Sequence, residues 1–273
     1  MARKHITKVV NKPANIEEKT DERIQYINNL LNTFPIASWQ WPRILLVVLK
    51  ERAISYADEV FDNLWQIASA GVQPLFINYS RTDLARNKVV QNLLASNFTH
   101  VLMLDIDHKH PVDIVQRLAR WFLLDRLADN DKKMGVQVVG GLNFRRSSPH
   151  DPCCHLMGVD GQIYAPAQWD QGLMQVDAIG TGSIMIAREV FETIQPPWFF
   201  NTYDRAWADV WPGEDMGFSR KCREYGIKMH VDTTTTSPHI IPREIGEQDF
   251  RTAIAEQGHK IASPEGKRFL HDQ

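Results

Sequence analysis

Apolar positions recur along this chain with two periods, and the alternation between them predicts the fold. Between residues 16 and 34, Ile24, Ile27, Leu30, Leu31 and Phe34 fall at helical spacing, which predicts an amphipathic helix. Pro35 and Pro42 bracket a loop. Residues 44–49 (ILLVVL) form an unbroken apolar run, the pattern of a strand buried on both faces. The next helix carries Ala57, Val60, Phe61, Leu64 and Ile67 on its inner side and ends at Gly71; residues 74–78 read as a second strand. Residues 80–96 are helical, with Ala85, Val89, Val90, Leu93 and Leu94 as the core stripe. A third strand, 100–106, runs directly into Asp105-Ile106-Asp107. Pro111 suits the first position of the helix that follows, where its missing N–H costs nothing. Residues 136–139 form a further strand.

Three strand–helix alternations predict an α/β fold with a mostly parallel sheet flanked by helices. The second half is less regular. Residues 147–175 are rich in proline and glycine, and strand-like segments surround Gly180-Thr181-Gly182. Short helices are expected at 189–194 and 214–225, the latter with Gly226 as a left-handed cap, and a last strand at 227–232. No repeat or linker divides the chain. The expected organisation is a helical extension over 1–42, a catalytic domain over 43–242 and a charged helical tail over 243–273.

Composition narrows the function. The 273 residues are 43% hydrophobic, enough for a sizeable core, and 31 basic against 33 acidic residues leave a formal charge of −2. That balance removes any global electrostatic case for nucleic acid or an anionic membrane. The pairs Lys132-Lys133 and Arg145-Arg146 are too small to restore one. Three cysteines, two of them adjacent, make no disulfide framework and point to a reducing compartment. The basic start lacks a signal peptide's apolar run, and no stretch is long enough for a membrane span. A soluble, cytoplasmic protein is expected.

In an open parallel sheet, ligands bind beyond the carboxyl ends of the strands. The strand VLMLDID delivers Asp105 and Asp107 there on one face, with Ile106 opposite. Two adjacent carboxylates repel unless solvent or a cation separates them, and a hard divalent ion that also takes phosphate oxygens suits the pair. The motif is short, and the same residues could cap the next helix.

The run Leu84-Ala85-Arg86-Asn87, then HVLMLDIDHKHP, VDAIGTGSIMIAREVFETI and PPWF, and finally Gly213-Glu214-Asp215 ahead of SRKCREYGIKMHVD and His239, resembles the DxD-containing, nucleotide-sugar-dependent glycosyltransferases of the GT-A (Rossmann-like) fold. The likeness spans roughly residues 43–241 and rests on the order of motifs that are weak singly. It implies a smaller mixed region on the acceptor side. It also implies that Asp107 ligates Mn²⁺ or Mg²⁺ on a nucleoside-diphosphate sugar, with Asp105 on the ribose or on the metal through water. His239 would be a further metal ligand, and an imidazole favours manganese. Arg86 and Asn87 would lie near the nucleotide, although Arg86 could instead form an internal ion pair. Gly180, Thr181 and Gly182 would let the backbone approach the donor sugar or the acceptor.

By the same resemblance, inverting members use the second carboxylate of a pair such as Glu214-Asp215 as base. Asp215 is therefore the expected base and Glu214 the expected acceptor contact. The reverse assignment stays open, and in a retaining enzyme neither role would hold. A structural reading also exists, because carboxylates in a helix's first turn suit its dipole. Trp198, Phe199, Trp207 and Trp211 suggest a lid or stacking surface, or core. Cys153, Cys154, His155 and His150 lack the spacing of a zinc site.

Two other functions compete. A haloacid-dehalogenase-type phosphohydrolase would use Asp105 as nucleophile and Asp107 as acid, but wants Thr or Val where Lys109 stands. A catalytically silent nucleotide-sugar binding module would bind without turnover. The acceptor is open: a small molecule, a glycan, a protein or a modified nucleic-acid base.

Overall fold

The computed structural model describes residues 22–33, 35–51, 58–69, 71–79, 81–201, 213–241 and 243–257, with two short paired strands at 261–262 and 268–269. Its centre is a seven-stranded sheet. Three strands on one side are parallel: β1 (Ile44–Glu51) lies between β2 (Leu75–Tyr79) and β3 (His100–Asp105). β4 (Val138–Leu142) and the long β10 (Met229–Thr236) are also parallel to each other. Between β3 and β4 lies β9 (Ser183–Ala187), antiparallel to both. β7 (Leu173–Val176) closes the far edge antiparallel to β10. The order is β2-β1-β3-β9-β4-β10-β7, so the sheet is mostly parallel, with five of its strands sharing one direction.

The four strands from residues 44 to 142 run in one direction within this sheet, and β9, from later in the chain, inserts antiparallel between β3 and β4. A strand preceded by Gly180 and Gly182 enters beside β3 from the opposite end, and periodicity alone carries no information about direction. A small antiparallel sheet adjoins it, with β5 (Cys154–Met157) between β6 (Ile163–Tyr164) and β8 (Ala178–Ile179).

Helices supply the outer layers. α1 (Glu22–Thr33) packs on α4 (Ile114–Leu127), and its Ile27 and Leu31 join the main core. α2 (Asp58–Ser69) buries Val60, Leu64 and Ile67 but leaves Phe61 half exposed. α3 (Thr82–Leu94) turns Ala85, Val89, Val90 and Leu93 inward. Val47, Val48, Val101, Leu102, Met103, Leu104 and Val138 are fully buried, while Leu45 is only partly so. This sandwiching explains why β1 and β3 read as continuous apolar runs. α4 begins at Ile114, with Pro111 in the turn before it. α5 (Arg188–Thr193) and α6 (Glu214–Glu224) follow β9, and Gly226 takes the left-handed conformation (φ +70°) after α6. The last helix, α7 (Glu247–Gln257), seats Phe250 on the same core. Among the described residues no helix is long and apolar enough to cross a membrane.

Candidate active site

β1 and β3 end side by side, and the chain leaving β3 shapes a cavity of about 340 Å³ at that edge. Asp105 is the last residue of β3; Ile106 and Asp107 form a turn. That turn is fastened from several sides. The Asp105 amide donates to Gly182 O at 2.9 Å, and the Ile240 amide donates to Asp107 O at 2.8 Å. His108 and His239 form an antiparallel bridge. His110 Nε2 lies 3.0 Å from the Asp105 carbonyl, which only accepts, so Nε2 carries the proton and Nδ1 accepts from Ser237 Oγ at 3.0 Å. The two loops are thereby held as one unit, which brings His239 beside the end of β3 from well over a hundred residues away.

The result is a group of three: Asp107, His108 and His239 each offer a ligand atom, all within 4.8 Å of one another. Both rings are buried and uncharged. Burial, the largest effect, pushes His108 down to about 4 and His239 down to about 3, with the neighbouring His108 lowering His239 further. His239 Nδ1 donates to Phe144 O at 2.5 Å, so its Nε2 keeps a lone pair. A ring N–H given to a backbone carbonyl is the support a metal-ligating histidine commonly has. His108 Nδ1 lies 2.9 Å from Asp107 Oδ1, and its Nε2 is buried without a hydrogen-bond partner. A buried, unsatisfied polar nitrogen costs free energy, and a bound cation would remove that cost. Two imidazoles and a carboxylate fit a divalent ion such as Mn²⁺. Gly182 makes the crowding possible, since a Cβ there would come within 2.9 Å of the His108 ring and of Asn143 Nδ2.

Asp105 lies outside this group. Its oxygens accept from Arg86 Nη2 at 2.9 and 3.2 Å, while Arg86 Nε donates to Glu214 at 3.1 Å. Arg86 is 1% exposed. Burial alone would lower its pKa, yet the flanking Asp105 and Glu214 carboxylates raise it overall. Of the two readings open for Arg86, the geometry is that of the internal ion pair. Asn87 is not a cavity-lining residue. Its Nδ2 donates to Asp83 O and Phe199 O, and its Oδ1 accepts from the Trp198 and Phe199 amides. It pins the chain after α5 onto α3.

Glu214 and Asp215 open α6 and face the same cavity. Burial, then the adjacent Glu214, pushes the Asp215 carboxyl up to about 6, even though the Met216 amide donates to it at 2.8 Å. Gly180, Thr181 and Gly182 form part of the wall. Trp198 and Phe199 are core residues, with Phe199 stacked on Phe218 at 4.7 Å; they offer no open stacking face. Trp207 and Trp211 lie outside the described residues. His108, Asn143, Arg146 and Cys153 also line the cavity. Burial pushes the Cys153 thiol up to about 12, which makes it a poor nucleophile.

No protein-family model and no curated protein matches this chain. Among solved structures, one described as "Crystal Structure of A197 from STIV" is similar over 85% of this chain and 95% of its own, with 15% identity and a TM-score of 0.47. A glycosyltransferase involved in the glycosylation of the major capsid of PBCV-1 is similar over 69% of this chain and 81% of its own, with 12% identity and a TM-score of 0.35. At these scores neither likeness assigns an activity to this chain.

Proposed function

We propose that this protein is a cation-dependent glycosyltransferase that moves a sugar from a nucleoside-diphosphate donor to an acceptor hydroxyl. The observation that carries the reading is the juxtaposition, in one cavity, of the Asp107–His108–His239 ligand group with the Asp215 carboxyl, raised to about 6. Four carboxylates and two guanidinium groups line that cavity, a net of two negative charges with the histidines neutral. A diphosphate does not enter such a site unaided; with a divalent ion it does.

Held by Asp107, His108 and His239, the cation would stabilise the negative charge of the departing diphosphate. The chain's own groups do the rest. Asp215 takes the proton of the acceptor hydroxyl as its oxygen bonds to the anomeric carbon. The bond from that carbon to the diphosphate oxygen breaks, and its electron pair leaves with the nucleoside diphosphate. A base poised near 6 is ionised at neutral pH while still a competent proton acceptor. Glu214 is already held by Arg86, which supports Asp215 as the base and Glu214 as an acceptor contact. Asp105, with a quarter of its side chain exposed, is placed to accept from a ribose hydroxyl. The phosphohydrolase reading finds no support here, because both oxygens of its nucleophile, Asp105, accept from Arg86.

A panel of nucleoside-diphosphate sugars, assayed for thermal stabilisation and slow hydrolysis with and without Mn²⁺, tests the proposal. At least one donor should raise Tm and be hydrolysed only with the cation. Cation-independent release of phosphate from simple phosphomonoesters would contradict it.

A further inference from the structure

Two arginines line the cavity, and they meet its carboxylates differently. Arg86 is buried between Asp105 and Glu214. Arg146, on the loop after β4, is half exposed (52%) and lays its guanidinium against Asp107, a member of the ligand group. Among the described residues this carboxylate is the partner shown for Arg146. A cation bound to Asp107 and the Arg146 guanidinium would claim the same oxygens, so the two compete. The losing guanidinium remains at the cavity rim, on a long side chain that can swing. A planar fork of N–H donors matches phosphate oxygens.

We infer that Arg146 is a counter-ion exchanged at Asp107: it neutralises that carboxylate until a divalent cation arrives, and then becomes a ligand of the donor's diphosphate. The inference rests on the proposed function and deepens it, since it makes cation binding and diphosphate binding one linked event. Linkage requires that each ligand favour the other. The cation frees Arg146 for the phosphates, and the phosphates hold Arg146 away from the cation's ligand. Arg86 cannot serve this way, because leaving its place would strand Asp105 and Glu214 as unpaired, largely buried charges.

The test uses the full chain, the variants Arg146→Ala and Arg146→Lys, and two probes: Mn²⁺ alone, followed by electron paramagnetic resonance, and preformed Mn²⁺–pyrophosphate, followed by calorimetry. Unchanged Tm confirms that the variants fold. Arg146→Ala should bind Mn²⁺ alone about fivefold more tightly, because its competitor is gone, and Mn²⁺–pyrophosphate about tenfold more weakly, within the range of ordinary coupling. Arg146→Lys should fall between, a point charge without the fork. A merely structural role would weaken both probes or neither. If Arg146→Ala binds Mn²⁺ no more tightly than wild type, or if its pyrophosphate affinity is unchanged, the exchange does not occur. If the wild-type protein binds neither probe, the proposed function itself falls, and this inference with it.

Discussion

At one side of the cavity Arg86 is locked, its N–H groups accepted by Asp105 and Glu214 and closed off from solvent; at the other, Asp107, His108 and His239 gather three ligand atoms, with His108 Nε2 buried and without a partner and the half-exposed Arg146 laid against Asp107. The first region spends its charge on structure, tying the end of β3 to the start of α6. The second pairs its carboxylate with a half-exposed arginine, which a ligand can displace. The difference lies in what surrounds the carboxylates, since both regions start from the same Asp-x-Asp. The strand end aims Asp105 at α3, where a buried guanidinium waits, and the turn aims Asp107 at the histidine-bearing loops.

That contrast can be broken from either side. Asp107→Asn should have the largest effect. It removes the only carboxylate of the ligand group, so Mn²⁺-dependent binding of a nucleoside diphosphate should fall by about 10² or more while the fold survives, because ligand geometry and charge both change; calorimetry with intact Tm checks this. Arg86→Met should do the reverse. Leaving Asp105 and Glu214 without their partner should lower unfolding stability by about 3 kcal/mol, seen as a lower denaturant midpoint. Loss of cation binding without loss of stability in this variant would show that the two regions are not divided as argued. His108→Gln sharpens the comparison with a smaller change: cation affinity should drop by about tenfold with His239 and Asp107 still present, measured by Mn²⁺ titration.

Much of this architecture was legible in the apolar pattern. The runs at 44–49 and 100–106 announced buried strands, and the stripe from Ala85 to Leu94 announced a helix. The antiparallel β9 was not legible, because a five-residue apolar strand looks the same in either direction. In the site, the Asp105–Asp107 pair stood out as residue types at the end of a strand, and His239 through the resemblance alone. Their division of labour did not. Alternation put both carboxylates on one face, but the strand stops at Asp105, and past it the period of two no longer places side chains. His108 was missed for that reason, although an imidazole directly after the second Asp was there to be read. Arg146 read as part of a short basic pair because nothing local links residue 146 to residue 107. Asn87 and the Trp198–Phe199 pair carry polar and aromatic groups that suit a ligand equally well on paper; in the fold they bind each other.

The most direct measurement compares turnover with binding in Asp215→Asn, using a donor that the wild-type protein hydrolyses or transfers in a Mn²⁺-dependent way. A base acts on the acceptor hydroxyl and not on the diphosphate, so removing it costs transition-state stabilisation and leaves ground-state donor binding alone. Because the Asp215 carboxyl is raised to about 6, the wild-type rate should fall as pH drops through about 6 and protonates it, and the variant should lose that limb. Stability carries the opposite sign. A carboxyl raised in the folded state is penalised once ionised, so Asp215→Asn should gain about 3 kcal/mol at pH 7, a gain that disappears as pH falls from about 6 toward 3.8, the ordinary carboxylate value. The account predicts a loss of about 10² in transfer with donor and Mn²⁺ affinities within a few-fold of wild type. Transfer at the wild-type rate, with the acid limb of the pH profile intact, would contradict it.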